Sequence, residues 1–186
     1  QMLYFYIQFS QPVENFKSFG KNGALVVFSD DLTQIISKVG ISSVSVENAK
    51  ANMESEIAPD NFDFNALLNT TQEKWEKFLS KIDVRGNGHE SKEKLRTFYT
   101  ALYHTAIAPN IYSDVDGRYR GMDKQIHKSE DFDRYTVFSL WDTFRSLHPL
   151  FTIIERERTL DFIKSFMSIY DEGGKLPIWE LAGYET

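Results

Sequence analysis

The sequence has no cysteine, which excludes disulfides and thiolate metal sites but leaves the compartment open, because exported proteins also do without it. It has no apolar run approaching the roughly 20 residues that cross a bilayer, and no basic stretch ahead of the apolar residues at its start. It also lacks a basic stripe. Lys and Arg are scattered and the formal charge is −6, so no phosphate-neutralising surface for nucleic acid is expected. No internal repeat or low-complexity segment is present. The four histidines, His89, His104, His127 and His148, form no pair spaced for a metal and no HExxH, and each reads as structural.

What remains is a sequence of 186 residues, 41% of them apolar, long enough to bury a substantial core as one domain or one and a half. Gln1 is not an initiator methionine, and Met2 leads straight into an alternating segment. At the other end, Thr186 follows polar and aromatic residues with no terminating helix. Both ends read as those of an internal piece of a larger protein.

Alternation places Leu3, Phe5, Ile7 and Phe9 on one face and Tyr4, Tyr6 and Gln8 on the other, predicting a half-buried strand that Pro12 ends. Lys21, Asn22 and Gly23 form a turn, and the continuous apolar run at 24–28 predicts a more deeply buried strand. Residues 35–46 are rich in β-branched residues and serine, with Gly40 marking a bulge or a close backbone approach. Three or more antiparallel strands are expected before residue 46. The period then changes. Ser45 as N-cap and Glu47 in the first turn predict a helix to about Ile57, stopped by Pro59. Spacings of three and four predict a long helix over 61–82, and another ending near Pro109 after the RGNG turn at 85–88. Residues 110–130 show no period, and a loop of that length is a place to expect a site. A helix over 133–148 closed by Pro149 follows, then a helix over 155–170 with Leu160, Ile163, Met167 and Tyr170 on one face, stopped by Gly173 and Gly174. Strands first and helices after give an α+β fragment, an antiparallel sandwich followed by a helical array.

A sugar site needs aromatic faces for the apolar side of the ring and carboxylates or arginines for its hydroxyls. Two segments supply these types: TVFSLWDTFRSLHP, with Trp141, Asp142 and Arg145, and LPIWELAGYET, with Trp179 and Glu180. Within a helix Asp142 and Arg145 would share a face and could pair or share a ligand. By spacing alone, a tryptophan in the core beside an ordinary surface ion pair is the commoner arrangement. The segment DVDGRYR gathers Asp114, Asp116, Arg118 and Arg120 around Gly117 as a possible site loop. Its glycine falls at the fourth position of a calcium loop instead of the sixth and no acid follows at the twelfth, so ordering by salt bridges is the commoner explanation and no metal ligand is assigned. Asn69 begins an N-x-T triplet inside the long helix, and nothing is read into it.

Three long motifs in order, FYTALYHTAIAPNIYSDVDGRYRGMD, YTVFSLWDTFRSLHPLFTII and DEGGKLPIWELAGYET, resemble the first half of the helical catalytic domain of glycoside hydrolase family 92. The upstream stretch GISSVSVENAKANMESEI is similar to that family's junction between a β-sandwich and the helices. The resemblance implies the end of an N-terminal antiparallel β-sandwich at 1–46, junction helices at 47–88, and the first helices of an (α/α)6 toroid at 89–186. It implies an exo-α-mannosidase, periplasmic or secreted, that releases terminal mannose from α-mannosides such as N-glycans with inversion, assisted by calcium. On that resemblance Trp141, Asp142, Arg145, Trp179 and Glu180 bind substrate. The catalytic acid, the base and the calcium ligands would lie in motifs outside this sequence, so the fragment alone would be inactive. Tyr184 stands where the family pattern has a smaller polar residue, at the pocket edge. Two other readings compete: a non-catalytic carbohydrate-binding or protein-interaction helical domain, and another toroid enzyme acting on uronic-acid polymers or α-glucans.

Overall fold

The computed structural model describes residues 2–20, 23–87 and 89–185, with no side-chain description at His89 and Glu90. Lys21 and Asn22 of the expected first turn, Gly88 of the RGNG turn and both terminal residues fall outside that set. The chain forms two compact units, residues 2–63 and the residues from Phe64 onward.

In the first unit, β1 (Tyr4–Phe9) pairs antiparallel with β4 (Ser37–Ser42), Phe5 opposite Ile41, Tyr6 opposite Gly40 and Ile7 opposite Val39. Between them in sequence, β2 (Asn15–Ser18) and β3 (Ala24–Val27) form a separate hairpin ladder. Helix α1 (Val46–Glu56) packs on β1 and β4. Ser45 caps it, its side chain accepting from the Asn48 amide at 3.1 Å, as its position before Glu47 indicates. Gly40 is a close approach: a Cβ there would overlap the Ala49 carbonyl oxygen and come within 2.8 Å of Met53 Cβ. One strand expectation needs correction. β3 is largely exposed instead of deeply buried. In β1 the expected alternation is present: α1 covers the face carrying Tyr4, Tyr6, Lys38, Gly40 and Ser42, while Phe5, Ile7, Val39 and Ile41 face outward.

In the second unit α2 (Phe64–Leu79) and α3 (His89–Thr105) pack together, Trp75 resting on Tyr103 with ring centroids 4.4 Å apart. Residues 110–136 are not a plain loop. β5 (Asn110–Ile111) pairs with β8 (Tyr135–Thr136), and β6 (Arg118–Arg120) with β7 (Ile126–Lys128). Strands of two or three residues are too short to show a period.

The expected helix over 133–148 does not form. Its start is β8, Val137 turns to a φ of 66°, and only α4 (Leu140–Thr143) is helical before α5 (Leu147–Ile154). Pro149 sits in the first turn of α5 and so opens a helix instead of closing one. A first-turn amide has no partner inside the helix, so proline is tolerated there. Finally α6 (Arg156–Gly173) ends on Gly174 at φ 73°, whose amide donates to the Tyr170 carbonyl at 2.7 Å. Its buried face carries Phe162, Ser165 and Ile169; the expected row, Leu160, Ile163, Met167 and Tyr170, is exposed. Phe162 makes the difference, because it is the centre of an aromatic core: Tyr135 at 4.8 Å and Phe138 at 5.6 Å meet it edge-on, and Phe151 at 6.1 Å stacks on it.

Candidate functional site

The two tryptophan segments, some forty residues apart in sequence, lie side by side. The Phe138 amide donates to the Glu180 carbonyl at 3.0 Å and the Leu140 amide to the Ile178 carbonyl at 2.9 Å, which ties the entry to α4 along residues 178–180. That pairing sets the Trp141 and Trp179 rings 5.9 Å apart at 49°, and the two residues are 62% and 44% exposed. Neither tryptophan is a core residue. Ser139 orders the polar group beside them: its hydroxyl donates to Asp142 Oδ2 at 2.5 Å and accepts from Trp141 Nε1 at 3.1 Å. Glu185 Oε1 accepts from the Ile178 and Trp179 amides at 2.9 and 2.7 Å and holds the second segment in place.

Arg145 is not an ion-pair partner of Asp142 among the described residues. Helix α4 ends at Thr143, so the spacing of three no longer puts the two side chains on one helix face, and the Arg145 guanidinium lies over the Phe144 ring at 5.2 Å.

Glu180 is completely enclosed. Its carboxylate accepts from Thr136 Oγ1 at 3.1 and 2.9 Å and from the Gly183 amide at 2.8 Å, while Thr136 Oγ1 itself accepts from the Ala182 amide at 2.7 Å. Burial pushes the Glu180 carboxyl above the ordinary carboxylate range, against the pull of the Gly183 amide, the Arg134 charge, the Thr136 hydroxyl and the Val137 amide. In this geometry Glu180 fixes the turn over 180–183, and Trp179 and Asp142 form the exposed surface above it.

A second buried polar group lies around Arg134, and no sequence motif marks it. Arg134 is fully enclosed, with its guanidinium 5.3 Å from the Tyr119 ring centre and its Nη2 3.9 Å from Glu172 Oε2. Glu172 accepts from the Tyr119 hydroxyl at 2.7 Å and the Met122 amide at 3.0 Å. Burial and the Glu172 carboxylate push the Tyr119 hydroxyl up to about 12. Nothing in DFDRYT marks Arg134 as buried, since a lone arginine between two short strands has the sequence signature of a surface residue.

The possible site loop is the turn leading into the β6–β7 hairpin. The Asp116 carboxylate accepts from the Arg118 amide at 3.0 Å and its Nε at 2.7 Å, Asp114 is buried, and Arg120 Nη1 donates to the Lys124 carbonyl at 2.9 Å. The Asp116–Arg118 pair and Gly117 at φ 82° order this turn locally. The hairpin reaches the 180–183 turn through Lys124, which donates to the Gly183 carbonyl and sits 3.3 Å from the Tyr184 ring centre. Among the described residues no three His, Asp or Glu side chains converge to hold a metal ion. Also among them, no helix is long and apolar enough to cross a membrane.

Comparison with known proteins places these residues in a larger context. Residues 48–186 match the family model of the glycosyl hydrolase family 92 catalytic domain. A family GH92 α-mannosidase from Bacteroides thetaiotaomicron is 31% identical, with a TM-score of 0.82 over 98% of this chain and 27% of its own. The same protein is known in complex with mannoimidazole. A family GH92 inverting mannosidase of that organism is 27% identical, with a TM-score of 0.82 over 95% of this chain and 26% of its own. A protein of Arthroderma benhamiae described as an uncharacterized secreted glycosidase is 27% identical over 117 residues, 63% of this chain and 14% of that protein. The chain therefore spans about a quarter of the length of these solved relatives and less of the curated one.

Proposed function

The chain belongs to glycosyl hydrolase family 92, and from that premise we propose that it supplies one wall of the sugar pocket of an exo-α-mannosidase. The protein containing it releases terminal mannose from α-mannosides, N-glycan mannose among them, with inversion, and works outside the cytoplasm, in the periplasm or secreted. Its sandwich and (α/α)6 toroid are completed by residues beyond this chain, as are the catalytic acid and base. The exposed Trp141–Trp179 pair beside an Asp142 already ordered by Ser139 carries the reading.

The chemistry follows from those groups. Indole faces take the apolar side of a pyranose ring, and Asp142 accepts hydrogen bonds from sugar hydroxyls, bonds that strengthen as the ring flattens toward an oxocarbenium-like state. Arg145 adds donors at the edge, and Glu180 is assigned to the same pocket through the turn it fixes beneath Trp179. Calcium is part of the proposal, with ligands from outside the chain. The described residues do not compose a cation site.

Asp142→Ala in the full-length protein tests the assignment. It should lower kcat/KM on an α-mannoside by at least about tenfold, on the order of 1.4 kcal/mol. Unchanged kinetics would remove Asp142 from the site, and a wild-type protein that binds α-mannosides without hydrolysing them would favour a binding module.

A further inference from the structure

Arg134 is a full positive charge removed from water, and its Nε and Nη2 have no hydrogen-bond partner among the described residues. Its Nη1 donates to the adjacent Tyr135 carbonyl. Two unmatched donors on a buried cation are costly unless opposite charge compensates. Glu172 does so at 3.9 Å, and Glu180 is tied to the same strand, its carboxylate accepting from the Thr136 hydroxyl two residues along, with the Arg134 charge favouring its ionised form. Each of them pins a different loop through a backbone amide. Glu172 holds the Met122 amide between β6 and β7, and Glu180 holds the Gly183 amide next to Trp179. The cation is thus shared by the two anions that fix the two loops.

We propose that Arg134 is a positioning residue: by compensating Glu172 and Glu180 together, it locks the β6–β7 hairpin and the 180–183 turn into one rigid base for the Trp141–Trp179 surface. This rests on reading that surface as sugar-binding. Without the guanidinium both carboxylates are left buried and uncompensated, and the two loops loosen together while the aromatic core around Phe162 keeps its packing.

Hydrogen exchange on the full-length protein, followed peptide by peptide, tests it. Arg134→Met should speed exchange at 118–128 and 178–185 by at least about tenfold while α3 keeps its protection, and Arg134→Lys should recover most of the loss. KM for an α-mannoside should rise by about tenfold with kcat held within about threefold, the split expected when binding alone is disturbed. Unchanged exchange in both loops overturns the proposal, as does acceleration that includes α3, or a fall in kcat at unchanged KM. Should Arg134→Met fail to fold, Glu172→Gln substitutes for it. That variant should loosen both loops, and loosening confined to 118–128 overturns the link. A wild-type protein that does not act on α-mannosides sinks the mannosidase reading, while the exchange pattern still decides the role of Arg134.

Discussion

Val137 has a φ of 66° although it is β-branched, a conformation that costs on the order of 1–3 kcal/mol and needs enforcement from its surroundings. The enforcement is visible on both sides: Thr136 is bound to Glu180, and the Val137 amide itself hydrogen-bonds that carboxylate. Asparagine tolerates this backbone region, so Val137→Asn should raise stability by about 1 kcal/mol in chemical denaturation. A loss would mean that the valine side chain contributes more than the strain removes. His148 makes a second residue-level prediction. It is half-buried edge-on to Phe162 at 5.8 Å and Phe166 at 6.3 Å, and burial lowers its pKa. The folded state therefore takes up its proton less readily than the unfolded chain, whose histidine titrates near about 6.5. Its contribution is intact above that pH and is lost as pH falls from there toward the lower folded value. Denaturation midpoints should drop on acidification below that point, and His148→Phe should remove that part of the slope; an identical slope in the variant would exclude His148 as the source. At this scale the sequence marks Trp141, Asp142 and Trp179 as candidates through the motifs they sit in. It hid Arg134 and Glu172, whose meaning comes from burial against partners far along the chain.

Among the elements, α1 lies directly against the sheet beneath it at Gly40. Because a methyl at Gly40 would overlap the Ala49 carbonyl, Gly40→Ala must push α1 off β1 and β4. A loss of about 2 kcal/mol or more is expected, within the range for overpacking, and thermal unfolding would detect it. An unchanged melting temperature would mean that the helix shifts freely. The helices with clear punctuation were legible from sequence: Ser45 starts α1, and Gly174 stops α6. The region between 110 and 150 was not, since its ladders are two or three residues long and Pro149 can either end a helix or stand in its first turn. The inward face of α6 was misread for a different reason. Residues 162, 165 and 169 have the same helical spacing as 160, 163 and 167, and only the position of the aromatic core distinguishes the two rows.

For the whole molecule, each unit leaves large apolar side chains in water. Phe5 and Ile41 are 61% and 57% exposed in the first, and Ile153 and Leu160 are 70% and 59% exposed in the second. Exposed apolar surface on this scale favours association. The isolated 186-residue chain should bind the apolar dye anilinonaphthalene sulfonate and sediment as more than a monomer; a dye-silent monomer would contradict this. The change from the first strands to helices was legible because the hydrophobic period changes from two to three or four near Ser45, and the family was legible because three motifs occur in sequence. The paired indoles have one further consequence. The only other tryptophan is Trp75, which rests on Tyr103 instead. Two chromophores as close as Trp141 and Trp179 exchange excitation, so the junction of the two segments should show an exciton-coupled circular dichroism band that neither segment could produce alone, an optical signature of assembly that needs no added label.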